Sequence, residues 1–353
     1  MNRKLVSVVI PAYNAKPFIT DAINSVFNQL YRPCEIIVVN DGSTDGTEDT
    51  VNGLSSSTPS DIQLRIIDIG ENKGAANALN IGFSSANGDY ICWLSADDVF
   101  IDRMKTSNQI EEMNRTGALW SYFRGFYQGQ THSDAKPVNT NYLPHLSFLD
   151  PIFVRNADLR LMLLMFRNPI NGSSIMIRKD CIEKYNQFDP VLKNVDADGD
   201  LWMRYSALGI KLIAINGLPL FYREHSQQTS QRTLSMLYGN ELTRLRILST
   251  LHKARKLKEL CQKFTIFFFI LFKAREHLNR PFTTEFLCNF IINNKNDFSW
   301  FLVKYAKRSL NDVEGRISSL NIDRHRFAND LQKIVQTPIF ESFEQLLMEG
   351  EKA

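Results

Sequence analysis

Short β-branched runs alternate with segments of helical period through the first third of the chain. LVSVVIPAY at 5–13 is followed by a helical pattern over 17–29, and EIIVVNDGST at 35–44 by a second over 45–54. LRIIDI at 64–69 then precedes a Gly/Ala/Asn-rich helix around 74–85, and DYICWL at 89–94 follows. The apolar runs are continuous rather than alternating, as strands buried on both faces must be. Strand and helix repeating at this spacing predict a mostly parallel, Rossmann-like α/β sheet flanked by helices. In such sheets ligands gather outside the carboxyl ends of the strands, where the polar clusters 12–14, 40–45 and 95–98 stand.

Residues 125–156 are rich in Gly, Pro, Asn and His with little periodicity, which predicts loops over the sheet. Patterning returns with SSIMIRKD, a strand and turn, then LWMRYSALG, a helix ending at Gly209, and KLIAI, a strand. From about 231 onward the period is helical, with Pro281 and Pro338 as the strong breaks. A boundary near 230 therefore divides an α/β domain at 1–230, about 1–105 on the side that binds the first substrate and 106–230 on the side of the second, from an α-helical region at 231–353. No internal repeat is visible.

A chain of 353 residues with 44% hydrophobic content supplies two sizeable cores. Five cysteines without a CxxC pair suggest neither a zinc site nor a disulfide framework, which fits a reducing, cytoplasmic setting. The apolar run at 264–272 lies between Lys263 and Lys273 and is far shorter than a bilayer core requires, so no membrane span is expected. The N-terminal run is broken at Pro11 and reads as a strand, not a secretion signal. Up to Gln231 there are 21 Lys and Arg against 25 Asp and Glu, leaving 20 against 13 beyond it. Two readings of the basic tail stay open: a solvated helical layer, or a surface lying on an anionic membrane, such as the inner face of the cell membrane. The helical region could equally pack on a second copy of the chain.

Four constellations carry candidate chemistry. In VVNDGSTDGT, Asp41 at a strand end can accept a hydrogen bond from a base or ribose while Gly42 lets the backbone turn closely; the same residues also suit a turn and helix cap. In DYICWLSADDVFIDRM, Asp97 and Asp98 repel each other unless a cation compensates, which suggests a divalent metal completed by diphosphate oxygens and water; an acidic helix cap is the alternative. In NVDADGDLWMR, Asp196, Asp198 and Asp200 are spaced by two before a helix, without the terminal glutamate of a calcium loop. One of them can act as general base, and Trp202 offers a wall to a sugar, or the three simply cap the helix. In FYREHSQQTS, His225 opens a polar loop and is a ligand or a surface residue according to its company.

Taken in order, SVVIPAYN, EIIVVNDGSTDGT, ENKGAANALNIG, GDYICWLSADD and the DGDLWMR to YREHSQQTS segment resemble the family 2 glycosyltransferases, over about residues 5–230. The resemblance implies the GT-A fold and an inverting, metal-dependent transfer from a UDP-sugar to a saccharide or lipid-linked saccharide acceptor, in building a cell-surface polysaccharide such as an O-antigen or capsule. It implies Mn2+ or Mg2+ held by Asp97, Asp98 and His225. Pro11, Ala12, Tyr13, Asp41, Asp97 and Lys73 fall on the donor side, Asp198 takes the place of the catalytic base, and Trp202, Arg204 and Asp200 lie toward the acceptor. Three positions depart from the family pattern: Ser95 replaces an acid before the pair, Ala197 replaces the glutamate before the base, and Leu79 replaces an arginine. Ser95 and Ala197 keep a nucleotide-sugar-binding protein without transfer as the alternative. A nicotinamide enzyme would need GxGxxG, and a nucleotidyltransferase a Gly-rich loop after the first strand; neither is found, and no basic stripe indicates nucleic acid.

Overall fold

The computed structural model describes residues 3–140, 154–226, 228, 233–268, 280–320 and 322–350. Two compact units are formed, and they are not contiguous in sequence. The first comprises Met1–Asn156, Pro169–Asn194 and Ile210–Gln231; the second comprises Ala157–Asn168, Val195–Gly209 and Arg232–Ala353.

The first unit is built on β1 (Val6–Ala12), α1 (Ile19–Phe27), β2 (Cys34–Asn40), α2 (Thr47–Gly53), β3 (Ile62–Asp68), α3 (Ala75–Ser85), β4 (Tyr90–Trp93), β5 (Val99–Phe100), α4 (Lys105–Thr116), β6 (Trp120–Phe123), β7 (Gly125–Gly129) and β8 (Lys136–Asn139). In the second unit lies α5 (Ala157–Leu164); β9 (Met176–Arg178) and α6 (Lys179–Tyr185) return to the first. Next come α7 (Ala197–Ala207) in the second unit and β10 (Leu212–Ile215) and β11 (Leu220–Arg223) in the first.

Strands order as β10-β6-β9-β4-β1-β2-β3 in a seven-stranded sheet, parallel except where β9 meets β4 and β6. Both faces of its centre are covered, as the continuous apolar runs require. Val6, Val8, Ile10, Ile36 and Val38 share a core with Ile19, Ala22, Ile23 and Val26 of α1. Val9 and Val39 face the other way, toward α3, where Gly82 makes the approach possible: a Cβ there would lie 2.2 Å from Val9 Cγ1. Each such buried Val or Ile contributes roughly 1.5–3 kcal/mol.

A second sheet, β5-β11-β7-β8, corrects the expectation of loops from 125 onward. GFYQG and KPVN form an antiparallel pair, with Pro137 tolerated because β8 is an edge strand. The rest of that predicted loop, 141–153, lies outside the described residues, as does most of the polar segment after His225 and the end of the 264–272 run.

The second unit is helical. Its centre is α8 (Thr233–Lys253), against which pack α7, α9 (Lys256–Lys263), α10 (Pro281–Asn293) and α12 (Arg324–Ile334); α11 (Trp300–Ser319) packs on α10, and α13 (Pro338–Glu349) follows in the chain. Pro281 and Pro338, read as breaks, occupy the first turns of helices, where the missing N–H costs nothing. Helix α7 is buried along most of its length, and Asp196 at its start and Asp200 within it pair with Arg244 and Arg246 of α8, which is why residues 195–209 belong with the helical unit although they precede 230. All five cysteines are free and buried. Among the described residues no helix is long and apolar enough to cross a membrane.

Candidate active site

Parallel register aligns the carboxyl ends of β1 and β2, with Ala12 opposite Asn40, and the chain leaves both into one knot of polar contacts. Asp41 N donates to Ala12 O at 2.8 Å, Asn14 N to Ser43 Oγ at 2.9 Å, and Thr44 N to Asn14 Oδ1 at 2.9 Å. Asp41 is buried, and its two carboxylate oxygens accept from the backbone N–H groups of Lys73, at 2.8 Å, and Gly74, at 2.9 Å. It therefore ties the 40–45 turn to the start of α3. Gly42 sits in the left-handed region at φ 69, and any Cβ would lie 2.7 Å from Glu71 C, so the turn needs glycine. Ala12 is buried at the strand end and Pro11 is half-buried, whereas Tyr13 is 51% exposed and free to stack. Lys73 extends into solvent and pairs with Glu71 at 3.1 Å; its side chain takes no part in the knot.

Strand β4 delivers the acidic pair. Leu94 N donates to Val9 O at 3.0 Å, and the following turn closes with Asp98 N donating to Ser95 O at 3.1 Å. The two aspartates then diverge. Asp98 is buried: Ser173 Oγ donates to its Oδ2 at 2.5 Å and Arg223 N to its Oδ1 at 3.3 Å. Asp97 stays partly exposed, with Oδ2 at 2.9 Å from His225 Nε2, and the imidazole lies against the Phe18 ring at 4.7 Å. Burial, and then the charge of Asp97, push the Asp98 carboxyl well above the usual carboxylate range.

Among the described residues no three His, Cys, Asp or Glu side chains converge on one point that could hold a metal. Asp97 and His225 meet; Asp98 turns to Ser173 and Arg223. The donor set of two carboxylates and an imidazole still fits a hard-to-borderline divalent cation, because adjacent acids, one of them buried, carry a charge penalty that a cation relieves.

Two residues with no assigned part in the sequence hold this corner. Arg223 donates through Nε to Asp97 O at 3.1 Å and through Nη2 to Asp21 Oδ2 at 2.9 Å, its guanidinium lying over Phe18. Its signal was its place in FYREHS, two residues before the histidine. Ser173 accepts from Ser95 N at 3.0 Å and lies 3.1 Å from Ser95 Oγ, so the serine in place of an acid joins the hydrogen bonds around Asp98. Nothing in the spacing of NGSS indicated that.

In the second unit, Asp198 lies at the start of α7, partly buried, accepting from Asn168 Nδ2 at 3.2 Å. Burial and the charge of Asp196 push its carboxyl up to about 6, which suits a group that must take a proton near neutrality. The acceptor-side assignments of Asp200 and Trp202 are corrected by burial. Two residues turn an α-helix by about 200°, so Asp200 points away from the face Asp198 uses. It is fully buried, held by Arg204 Nε at 2.8 Å and Arg246 Nη2 at 2.6 Å. Burial alone would raise its carboxyl, but the Arg246 and Arg204 charges outweigh that and hold it below the ordinary range. Trp202 and Arg204 are likewise without solvent exposure and serve the core.

The family described as Glycosyl transferase family 2 matches residues 7–167. An Escherichia coli protein, UDP-Glc:alpha-D-GlcNAc-diphosphoundecaprenol beta-1,3-glucosyltransferase WfaP, is 30% identical over 232 residues, 64% of this chain and 80% of its own length. An uncharacterized glycosyltransferase of Rickettsia bellii is 32% identical over 234 residues, 65% of this chain; this chain spans only 31% of that longer protein. Among solved structures, Staphylococcus aureus TarS 1–349 in complex with UDP-GlcNAc superposes with a TM-score of 0.56 at 13% identity, covering 98% of this chain and 92% of that one. A mannosyltransferase from Pyrobaculum calidifontis, in complex with GDP-Man and Mn2+, gives 0.55 at 14% identity over 99% and 87%. At such identities the structural likeness establishes the fold, which is that of the GT-A glycosyltransferases.

Proposed function

This chain belongs to the family 2 glycosyltransferases, and from that premise we propose that it moves a sugar from a UDP-sugar to a hydroxyl of a lipid-linked saccharide, in the assembly of a cell-surface polysaccharide. The observation that carries the reading is the pair Asp97–His225 beside the buried Asp98 at the carboxyl end of β4, where ligands of parallel sheets gather. Support for the donor and acceptor comes from the relatives: TarS is described with UDP-GlcNAc, and WfaP by its UDP-Glc donor and diphosphoundecaprenol-linked acceptor.

Tyr13 stacks on the nucleobase, and Asp41 fixes the two turns that surround it. Asp97, Asp98 and His225 would hold Mn2+ or Mg2+, which would supply positive charge against the diphosphate. Asp198 accepts the proton of the acceptor hydroxyl; the hydroxyl oxygen bonds to the anomeric carbon as the bond to the UDP oxygen breaks, its electron pair leaving with the diphosphate, so configuration inverts. The enzyme works at the cytoplasmic face of the membrane that carries its acceptor.

The test is release of UDP from UDP-glucose and UDP-N-acetylglucosamine, with manganese and with chelator, in the presence of a lipid-diphosphate-linked sugar. Asp198→Asn is expected to abolish transfer while retaining UDP binding by calorimetry. Full transfer by that variant would refute the base assignment, and donor binding indifferent to chelator would refute the metal.

A further inference from the structure

Ala197 leaves the residue before Asp198 without a charge, yet the carboxylate one position further upstream is held in an unusual way. Asp196 adopts the left-handed region at φ 51, uncommon for a residue with a side chain, and stands at the N-terminal boundary of α7 without a side-chain capping hydrogen bond. Its carboxylate folds back over the helix start: Oδ1 lies 2.2 Å from where a Cβ of Gly199 would stand, so only glycine at 199 admits this conformation. Helix α8 closes on it from the other side. Arg244 Nη1 donates to Asp196 Oδ2 at 2.6 Å, and Thr243 Oγ1 donates to the same oxygen. Asp196, Thr243 and Arg244 are all buried. Gly239 of α8 admits Val195, the preceding residue, at a distance no larger side chain would allow.

We propose that Asp196 is a positioning residue for Asp198: clamped by Arg244 and Thr243 of α8, it supplies from two residues upstream the negative neighbour that Ala197 lacks. The helical region thereby sets the protonation of the base. This rests on the reading of Asp198 as base. The charge of Asp196 raises the affinity of Asp198 for a proton, whereas the Arg244 guanidinium, 2.6 Å from the Asp196 carboxylate, opposes that rise by its own charge. Among the described residues, Arg280, whose side chain feels Asp196, and Glu241, which is bonded to Thr283 and lies in the fields of Arg280 and Arg244, also bring charge to the pair. Asp200 is neutralised separately by Arg204 and Arg246.

Opposite shifts distinguish this from a purely structural clamp. With the full chain labelled at aspartate 13Cγ, the resonance missing from Asp198→Asn identifies the base, and its titration midpoint is followed by NMR. Asp196→Asn should lower that midpoint by about one pH unit, and Arg244→Met should raise it by a similar amount, while Arg244→Lys restores the wild-type value. The acid limb of UDP release from UDP-N-acetylglucosamine should move in the same directions. Asp196→Asn leaves the buried Arg244 short of counter-charge and should lower stability, but Asn tolerates the left-handed region and can still accept from Arg244 and Thr243, so this variant keeps the clamp's hydrogen bonds and decides the matter if Arg244→Met does not fold. A midpoint unmoved within about 0.2 unit in Asp196→Asn overturns the inference. Full transfer by Asp198→Asn would instead overturn the base reading, and the titration separates the two failures.

Discussion

His225 Nε2 lies 2.9 Å from Asp97 Oδ2, across 128 residues of sequence, joining the end of β4 to the chain that leaves β11. An imidazole so placed fixes the carboxylate and is available as a ligand beside it. His225→Ala should weaken manganese-dependent UDP binding roughly tenfold, with little change in chelator. Calorimetry in the two buffers checks it; equal loss in both would make the histidine a donor contact independent of metal.

Asp98 depends on Ser173, whose hydroxyl donates to it at 2.5 Å. Ser173→Ala leaves a buried carboxylate with one donor fewer, at a cost of about 1–3 kcal/mol. The expected outcome is a lower melting temperature together with weaker manganese-dependent UDP binding. Ser95→Ala, which removes only the outer hydroxyl of this chain of contacts, should do less in both measurements.

What was legible in the sequence follows a physical division. Residues 6–10 and 36–39 declared their strands because a sheet covered on both faces needs uninterrupted Val and Ile. Asp97 and Asp98 were legible as a candidate because adjacent acids at a strand end need compensation. Asp200 was misread because its spacing from Asp198 says nothing of which side of α7 meets Arg246, a residue 46 positions further on. The small sheet of β7 and β8 was hidden because its strands are short and Gly- and Pro-bearing, and their pairing is decided by β11, far away in sequence.

The burial of Asp200 predicts a stability phenotype. Replacing Asp200 by Asn leaves two buried arginines short of counter-charge, and breaking such a group costs about 3–5 kcal/mol. Chemical denaturation should show that loss in the helical unit. If Asp200→Asn kept full stability but lost acceptor affinity, the acceptor role would be restored.

On α11, Trp300 is 73% and Phe301 43% exposed, with Lys304 Nζ 5.0 Å over the Trp300 ring. Exposed aromatics beside a lysine suit the interface of an anionic bilayer. Co-sedimentation with vesicles containing phosphatidylglycerol should retain the wild-type chain and release Trp300→Ser/Phe301→Ser, with binding falling as salt rises. Equal retention of both would leave α11 without a membrane role.

The elevated carboxyl of Asp198 has consequences for both rate and stability, and their signs differ. As base it must be ionised, so transfer should rise with pH through about 6 and level off above it. For folding, a carboxyl raised from 3.8 to about 6 contributes stability below its unfolded value and loses that contribution as pH climbs through the folded one. Asp198→Asn removes the charge that burial and Asp196 penalise, so it should be more stable than wild type above pH 6, by up to about 2 kcal/mol, and gain nothing near pH 4. Melting temperatures across this range check it. A gain that is the same at both ends would mean that the carboxyl titrates normally, and the acid limb of the rate profile would then belong to another group.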